Sequence, residues 1–145
     1  MISKSCQYAI RAAVYLASRA DENLKLNVKE IAKEIDAPEA FTAKSLQILN
    51  KHKIITSQKG PNGGFFIEEY QLHEPIVNIV SAIDGLQIFK SCGLGLKVCS
   101  EISPCPFHND YKTLRESMLA TFERTTIKML AQNLKNGDVF VLAGK

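Results

Sequence analysis

Three cysteines and a histidine form the most chemically loaded stretch of the chain. Cys92, Cys99 and Cys105 follow the spacing C-x6-C-x5-C, and His108 lies three residues further on. Thiolates are soft metal ligands and redox-active nucleophiles. In a reducing compartment such a cluster points to metal or redox chemistry rather than to a disulfide framework. Structural zinc sites usually separate paired ligands by about two to four residues. The wider gaps here fit a loop wrapped around a larger object, such as an iron–sulfur cluster held by thiolates. Gly93 and Gly95 let the backbone fold close to sulfide. Pro106 suits the first position of a following helix, which places Cys105 near a positive helix end that stabilises thiolate charge. Zinc held by the three cysteines and His108, a thiol redox switch, and incidentally buried cysteines are the other readings of this spacing. Cys6, the fourth cysteine, stands alone.

A second set of residues suits double-stranded DNA. A helix over residues 38–52 has the diameter of the major groove. Its outward face would carry Glu39, Thr42, Ala43, Lys44, Gln47 and Lys51. Lys44 and Gln47 can hydrogen-bond base edges, and Lys51 can neutralise a phosphate. The following turn offers Lys59, Asn62 and Gly63, and a cationic hairpin tip can enter the minor groove. Residues 1–60 hold ten Lys/Arg against six Asp/Glu, whereas residues 61–145 hold eight against nine. The basic balance therefore sits at the end that carries this set. An enzyme is not expected, because no Ser–His–Asp set, paired carboxylates or phosphate-cradling loop is visible. His52 and His73 stand alone and read as structural or solvent-facing.

These side chains need elements to position them. Tyr8, Ala9, Ala12, Ala13, Leu16 and Ala17 recur at helical spacing and predict a helix over residues 5–20. Asn27 is a suitable N-cap for a second helix, with Glu30 placed to complete a capping box. Val28, Ile31, Ala32 and Ile35 form its apolar face. Asp36-Ala37-Pro38 separates it from the third helix, in which Phe41, Ser45, Ile48 and Leu49 are expected to face inward. Strands are expected at 54–57 and 65–67, with Asn62-Gly63-Gly64 supplying the hairpin turn. A fourth helix follows Pro75, with Ile76, Ile79, Val80 and Ile83 inward and Gly85 at its end. Residues 107–134 read as one long helix with Tyr111, Leu114, Met118, Phe122, Thr125 and Met129 along one side. A helix about 40 Å long exceeds what a small head can cover, so a second copy of the chain is the expected partner of that stripe. The segment 138–143 reads as an apolar tail. The fold class is thus mainly α with a small β-hairpin wing: a winged helix-turn-helix plus a long dimerisation helix. Residues 1–74 form the DNA-binding domain. Residues 75–145 supply the linker helix, the cysteine loop at 91–108 and the dimerisation helix at 107–134.

With 145 residues, 46% of them hydrophobic and 23% charged, the chain has the composition of a soluble globular protein. No run of eighteen apolar residues predicts a membrane span. The N-terminus lacks the apolar core of a secretory signal, so a cytoplasmic location is expected.

Tyr8-Ala9-Ile10-Arg11-Ala12, the wing segment Lys59-Gly60-Pro61-Asn62-Gly63-Gly64-Phe65 and the cysteine triplet together resemble the IscR/NsrR family of winged-helix regulators over nearly the whole chain. The resemblance implies a transcription regulator that forms homodimers through the long helix and binds palindromic operators. It also implies a 2Fe–2S or 4Fe–4S cluster on Cys92, Cys99 and Cys105. In this family such clusters sense iron–sulfur status, nitric oxide or redox state. His108 fits one version of the fourth ligand, and Cys6 or Gln7 from a partner's first helix fits another. Relatives that regulate cluster assembly often carry Glu where this chain has Ala43, so their operator preference does not transfer. Lys59 replaces a frequent Arg, keeping charge but losing the planar fork.

Overall fold

The computed structural model describes residues 1–135, and the expected tail at 138–143 lies outside the described residues. Helix α1 (Lys4–Ser18) is the central element, packed on the later helices α3 (Glu39–Lys51), α4 (Val77–Ile83) and α6 (Ile127–Lys135). Its Ala9, Ala12, Ala13 and Ala17 are buried, and small side chains allow neighbouring helices to approach closely. Ser3 caps α1 by accepting from the Cys6 amide at 3.0 Å. Helix α2 (Val28–Glu34) has the expected N-cap, the Asn27 side chain accepting from the Glu30 amide at 2.9 Å; the return bond to the Glu30 carboxylate is not among the bonds of this cap. Ile31, Ile35, Leu46, Leu49, Ile55, Ile79 and Ile127 complete the main core.

The α2–α3 pair forms the helix-turn-helix. Pro38 occupies the N-cap of α3 rather than its first helical position. The inward face of α3 is Thr42, Ser45, Leu46 and Leu49. This corrects two expectations. Phe41 is 54% exposed, and Thr42, expected to face DNA, is fully buried. The stripe 42, 45, 46, 49 follows helical periodicity strictly, and Phe41 lies one residue off it. Thr42 tolerates burial because its hydroxyl donates to the Pro38 carbonyl at 2.9 Å.

The wing pairs β1 (Thr56–Gln58) with β2 (Gly64–Phe66), Ser57 lying opposite Phe65. Both strands are displaced from the expected 54–57 and 65–67, because Ile54, Ile55 and Ile67 bury into the main core at the wing's root. The Leu26 amide donates to Phe65 O at 2.9 Å and the Phe65 amide to Leu26 O at 2.7 Å, adding a third backbone partner to the hairpin. Gly63 holds the turn: a Cβ there would stand 2.0 Å from the Gln58 carbonyl oxygen.

The single long helix expected at 107–134 is two helices, α5 (His108–Arg124) and α6. Thr125 is extended, with φ −88° and ψ 118°. The Thr126 hydroxyl accepts from the Met129 amide at 3.1 Å and so caps α6. The break is fixed from outside. Ile76 N–H donates to Thr125 O at 2.9 Å, and Ile127 N–H donates to Glu74 O at 3.0 Å. Turning the chain there sends Ile127 and Ala131 into the core. Along α5, Phe122 meets Phe89 edge-on at 5.7 Å, and Met118 and Leu119 cover the cluster of Cys6, Val80 and Phe89. Leu114 stays 61% exposed. No helix among the described residues is long and apolar enough to cross a membrane.

Candidate functional site

The cysteine loop runs from the end of a short 3-10 turn, Gln87–Phe89, to the start of α5. Arg115, one helical turn along α5 from Tyr111, donates to the Lys90 and Ser91 carbonyls and ties the loop's first residues to the helix. Gly93 lies flat against the same face: a Cβ there would come within 2.6 Å of the Tyr111 ring. The Cys105 carbonyl accepts from the His108 amide at 3.1 Å, and Phe107 is the N-cap of α5. Helix α5 therefore begins two residues later than Pro106 suggested, and Cys105 sits in the approach to the helix rather than at its cap.

The three thiols converge. The sulfurs of Cys92, Cys99 and Cys105 all lie within 4.8 Å of one another, with Cys92 and Cys105 3.6 Å apart. The Leu94 amide donates to Cys92 Sγ at 3.4 Å, and the Cys105 amide donates to Cys99 Sγ at 3.4 Å. Backbone N–H groups of Leu96 and Leu94, aimed at its sulfur, hold the Cys92 thiol down to about 7. Cys105 moves the other way, raised by desolvation. The amide donors thus favour the thiolate form of Cys92 near neutral pH.

His108 joins the site through one nitrogen. Its Nδ1 lies 3.3 Å from Cys99 Sγ, but it is not a member of the mutually close set formed by the three thiols. The imidazole is buried. Nε2 stands 3.4 Å from Glu101 Oε1, a charge contact without hydrogen-bond geometry, and makes no hydrogen bond among the described residues. Lys112 binds Glu101 at 2.6 Å, and this ammonium, helped by His108, holds the Glu101 carboxyl below the ordinary carboxylate range. Cys6, the alternative fourth ligand, lies fully buried beside Val80 and Phe89. Burial, reinforced by Asp84, pushes its thiol up to about 12. It is a neutral core group here rather than a presented ligand.

Three converging thiols, two of them accepting backbone N–H groups, suit a metal–thiolate or iron–sulfur group, whose sulfurs are stabilised by such donors. The loop carries this set on the surface, with Leu94, Leu96, Val98 and Ile102 exposed around it.

The proposed DNA-facing residues divide. Glu39, Lys44, Gln47 and Lys51 are exposed on α3, and Lys59 and Asn62 are exposed at the wing. Gly63 is half-buried and shapes the turn through its amide, which donates to Gly60 O at 3.0 Å. Thr42 does not belong to this surface. Phe41, expected to face inward, is exposed instead. Its ring lies 6.4 Å from that of Tyr8, over which the Arg11 guanidinium stands at 5.6 Å.

The family model described as Rrf2, iron-dependent transcriptional regulator, matches residues 2–133. A helix-turn-helix-type transcriptional regulator of Aquifex aeolicus (strain VF5) is 33% identical over 142 residues, covering 97% of this chain and 96% of the relative. A second such regulator, from Mycobacterium tuberculosis, is 28% identical over 132 residues, covering 90% of this chain and 80% of the relative. Among solved structures, CymR, the global cysteine regulator of B. subtilis, superposes with a TM-score of 0.76 at 18% identity, covering 91% of this chain and 96% of that one. IscR of T. potens gives 0.71 at 16% identity, covering 97% and 93%. At these identities the structural likeness is one of fold.

Proposed function

Because the chain belongs to the Rrf2 family of transcriptional regulators, we propose that it senses a chemical signal through an iron–sulfur cluster on Cys92, Cys99 and Cys105 and relays it to DNA as a homodimer. The observation that carries the reading is the mutual approach of three thiols within 4.8 Å on a loop tied to α5. His108, through Nδ1, is the side chain best placed to add a fourth protein ligand. Residues 1–74 read DNA, and residues 75–145 sense and dimerise. The protein acts in the cytoplasm, where its operator lies.

When bound, the cluster supplies electron transfer and ligand exchange sensitive to oxidants and nitric oxide. The chain's own residues do the rest. Cys92 offers a thiolate near neutral pH. The Leu94 and Cys105 amides offset sulfur charge. Arg115 and Gly93 hold the loop against α5, so order gained in the loop is order imposed on that helix. Dimer contacts along α5 then set the separation of two recognition helices, which a two-fold protein must present about 34 Å apart on a palindromic operator. Lys44 and Gln47 read bases, while Lys51, Lys59 and Asn62 engage the backbone and minor groove.

One observation favours a second reading. Cys92 and Cys105 stand 3.6 Å apart, and backbone N–H groups favour the Cys92 thiolate, the nucleophile from which a thiol redox switch starts. Anaerobic purification followed by absorption spectroscopy and iron, sulfide and zinc analysis separates the readings. Stoichiometric iron and sulfide support the cluster. Stoichiometric zinc without them, or thiols that only form a disulfide, replace the cluster and leave DNA binding intact. A mobility shift on the chain's own promoter region tests the DNA reading.

A further inference from the structure

The wing reads DNA only if its tip arrives at the groove in register with α3, and the root of the wing carries a device for this. Gln71 lies in a 3-10 turn, Glu69–His73, just beyond the hairpin. Its side chain is 1% exposed, an unusual position for a primary amide. Both polar atoms of that amide are hydrogen-bonded. Its nitrogen donates to the Lys53 carbonyl at 2.9 Å. Its oxygen accepts from the Glu68 amide at 2.8 Å and from the Thr56 hydroxyl at 3.1 Å. The single Thr56 proton is shared between that oxygen and the Glu68 carboxylate, 3.0 Å from the hydroxyl, and the Gln71 backbone N–H donates to Glu68 O at 2.9 Å.

These partners define the joint between reading helix and wing. Lys53, in a left-handed conformation with φ 61°, is the second residue after α3, and Thr56 opens β1. Glu68 is the second residue after β2. A single side chain therefore spans the exit of the recognition helix, the entry of the first wing strand and the return of the second. We infer that Gln71 is a positioning residue for DNA recognition, setting the angle of the wing relative to α3.

The lever makes small errors matter. From Thr56 to Lys59 is three residues, roughly 10 Å of strand, so a tilt of about ten degrees at the root moves the tip by about 2 Å. Hydrogen bonds to DNA tolerate only a few tenths of an ångström before weakening steeply. A buried hydrogen-bonded network selects one arrangement, whereas an apolar side chain would fill the space without choosing an angle. The Leu26–Phe65 backbone pair fixes β2 from its other side, which leaves the β1 side for Gln71 to hold.

This inference rests on the DNA-binding reading, and its test separates the two. The probe is a duplex selected from a random-sequence library by the wild-type protein, and affinities are measured for Lys59→Ala, Gln71→Met and the double variant. Lys59→Ala should weaken binding about tenfold, as a lost charged contact does. Gln71→Met should weaken it similarly. The double variant should be less than twofold weaker than Gln71→Met alone, because a misplaced tip has no contact left to lose. Multiplying losses would overturn the role of Gln71 while leaving DNA binding intact, as would a folded Gln71→Met protein with wild-type affinity. If Gln71→Met does not fold, Thr56→Val removes only the hydroxyl from the network and must show the same non-additivity with Lys59→Ala, and independence there overturns the proposal. If the wild-type protein selects no duplex, the DNA reading and this inference fall together.

Discussion

At the scale of single residues, environment decides chemistry that type alone leaves open. Four cysteines have four settings. Cys92 is held down to about 7 by backbone N–H groups, and Cys6 is pushed up to about 12 by burial. In the metal-free protein, alkylation of Cys92 should therefore rise with pH and reach half its maximal rate near 7, followed by mass spectrometry of the labelled peptide. The thiolate is the reactive form, so rates fall below that pH as the thiol protonates. An inflection near 9 would remove the argument from its amide donors. Thr42 and Lys44 make a similar contrast on α3. Thr42→Val keeps the buried volume and loses the bond to Pro38, so it should cost about 1 kcal/mol in urea melts and leave base preference unchanged. Lys44→Ala or Gln47→Ala should leave the melt unchanged and broaden the selected operator. Equal base preference in all three variants would show that α3 reads no bases. The sequence made the cysteine triplet and the exposed lysines visible. It placed Phe41 and Thr42 on the wrong faces because 41, 45 and 49 and 42, 45 and 49 both fit helical spacing, and only the burial of Leu46 selects the second.

Elements are set by caps and by what they pack against. The caps of α1 and α2, Ser3 and Asn27, are local devices, and the expected start of α2 at Asn27 matches the structure. The cap of α6 is equally local, since Thr126 accepts from Met129 within one turn. It was overlooked because the apolar spacing of Phe122, Met129 and their neighbours continues in helical phase across the break. Backbone bonds from Glu74 and Ile76 then hold Thr125 and Ile127 in the turn. Thr126→Ala should destabilise the protein by about 1 kcal/mol, a typical loss for an N-cap, measured by thermal or urea unfolding. An unchanged midpoint would mean that the flanking backbone bonds alone enforce the break.

For the whole molecule, the division of the α5 stripe is the decisive feature. Met118 and Phe122 cover the chain's own Cys6, Val80 and Phe89, whereas Leu114 is 61% exposed. A substitution at Phe122 would disturb the protomer itself, so Leu114 is the cleaner probe of assembly. Leu114→Asp should convert a sedimenting dimer into a folded monomer at micromolar concentration, because an unpaired charge is costly in an apolar interface. A wild-type protein already monomeric under those conditions would remove α5 as a dimer helix. A variant that remains dimeric would move the interface elsewhere on the chain.

What the sequence determined by itself is what short spacings carry: the order of helices and hairpin, the glycine-built turn, the basic N-terminal half and the thiol triplet with His108 three residues on. Each depends on neighbours a few positions apart, and local sterics or ligand spacing record it directly. The tertiary structure decided what depends on contacts distant in sequence. Cys6 became a core group because α4 and α5 close over it. Residues 107–134 became two helices because residues 74–76 bind the break. Gln71 acquired its place because the Lys53 carbonyl, eighteen positions earlier, lies beside it only after the hairpin has folded back. Periodicity says which residues are apolar, but not which surface will cover them, and no local rule pairs a buried amide with a carbonyl across a turn.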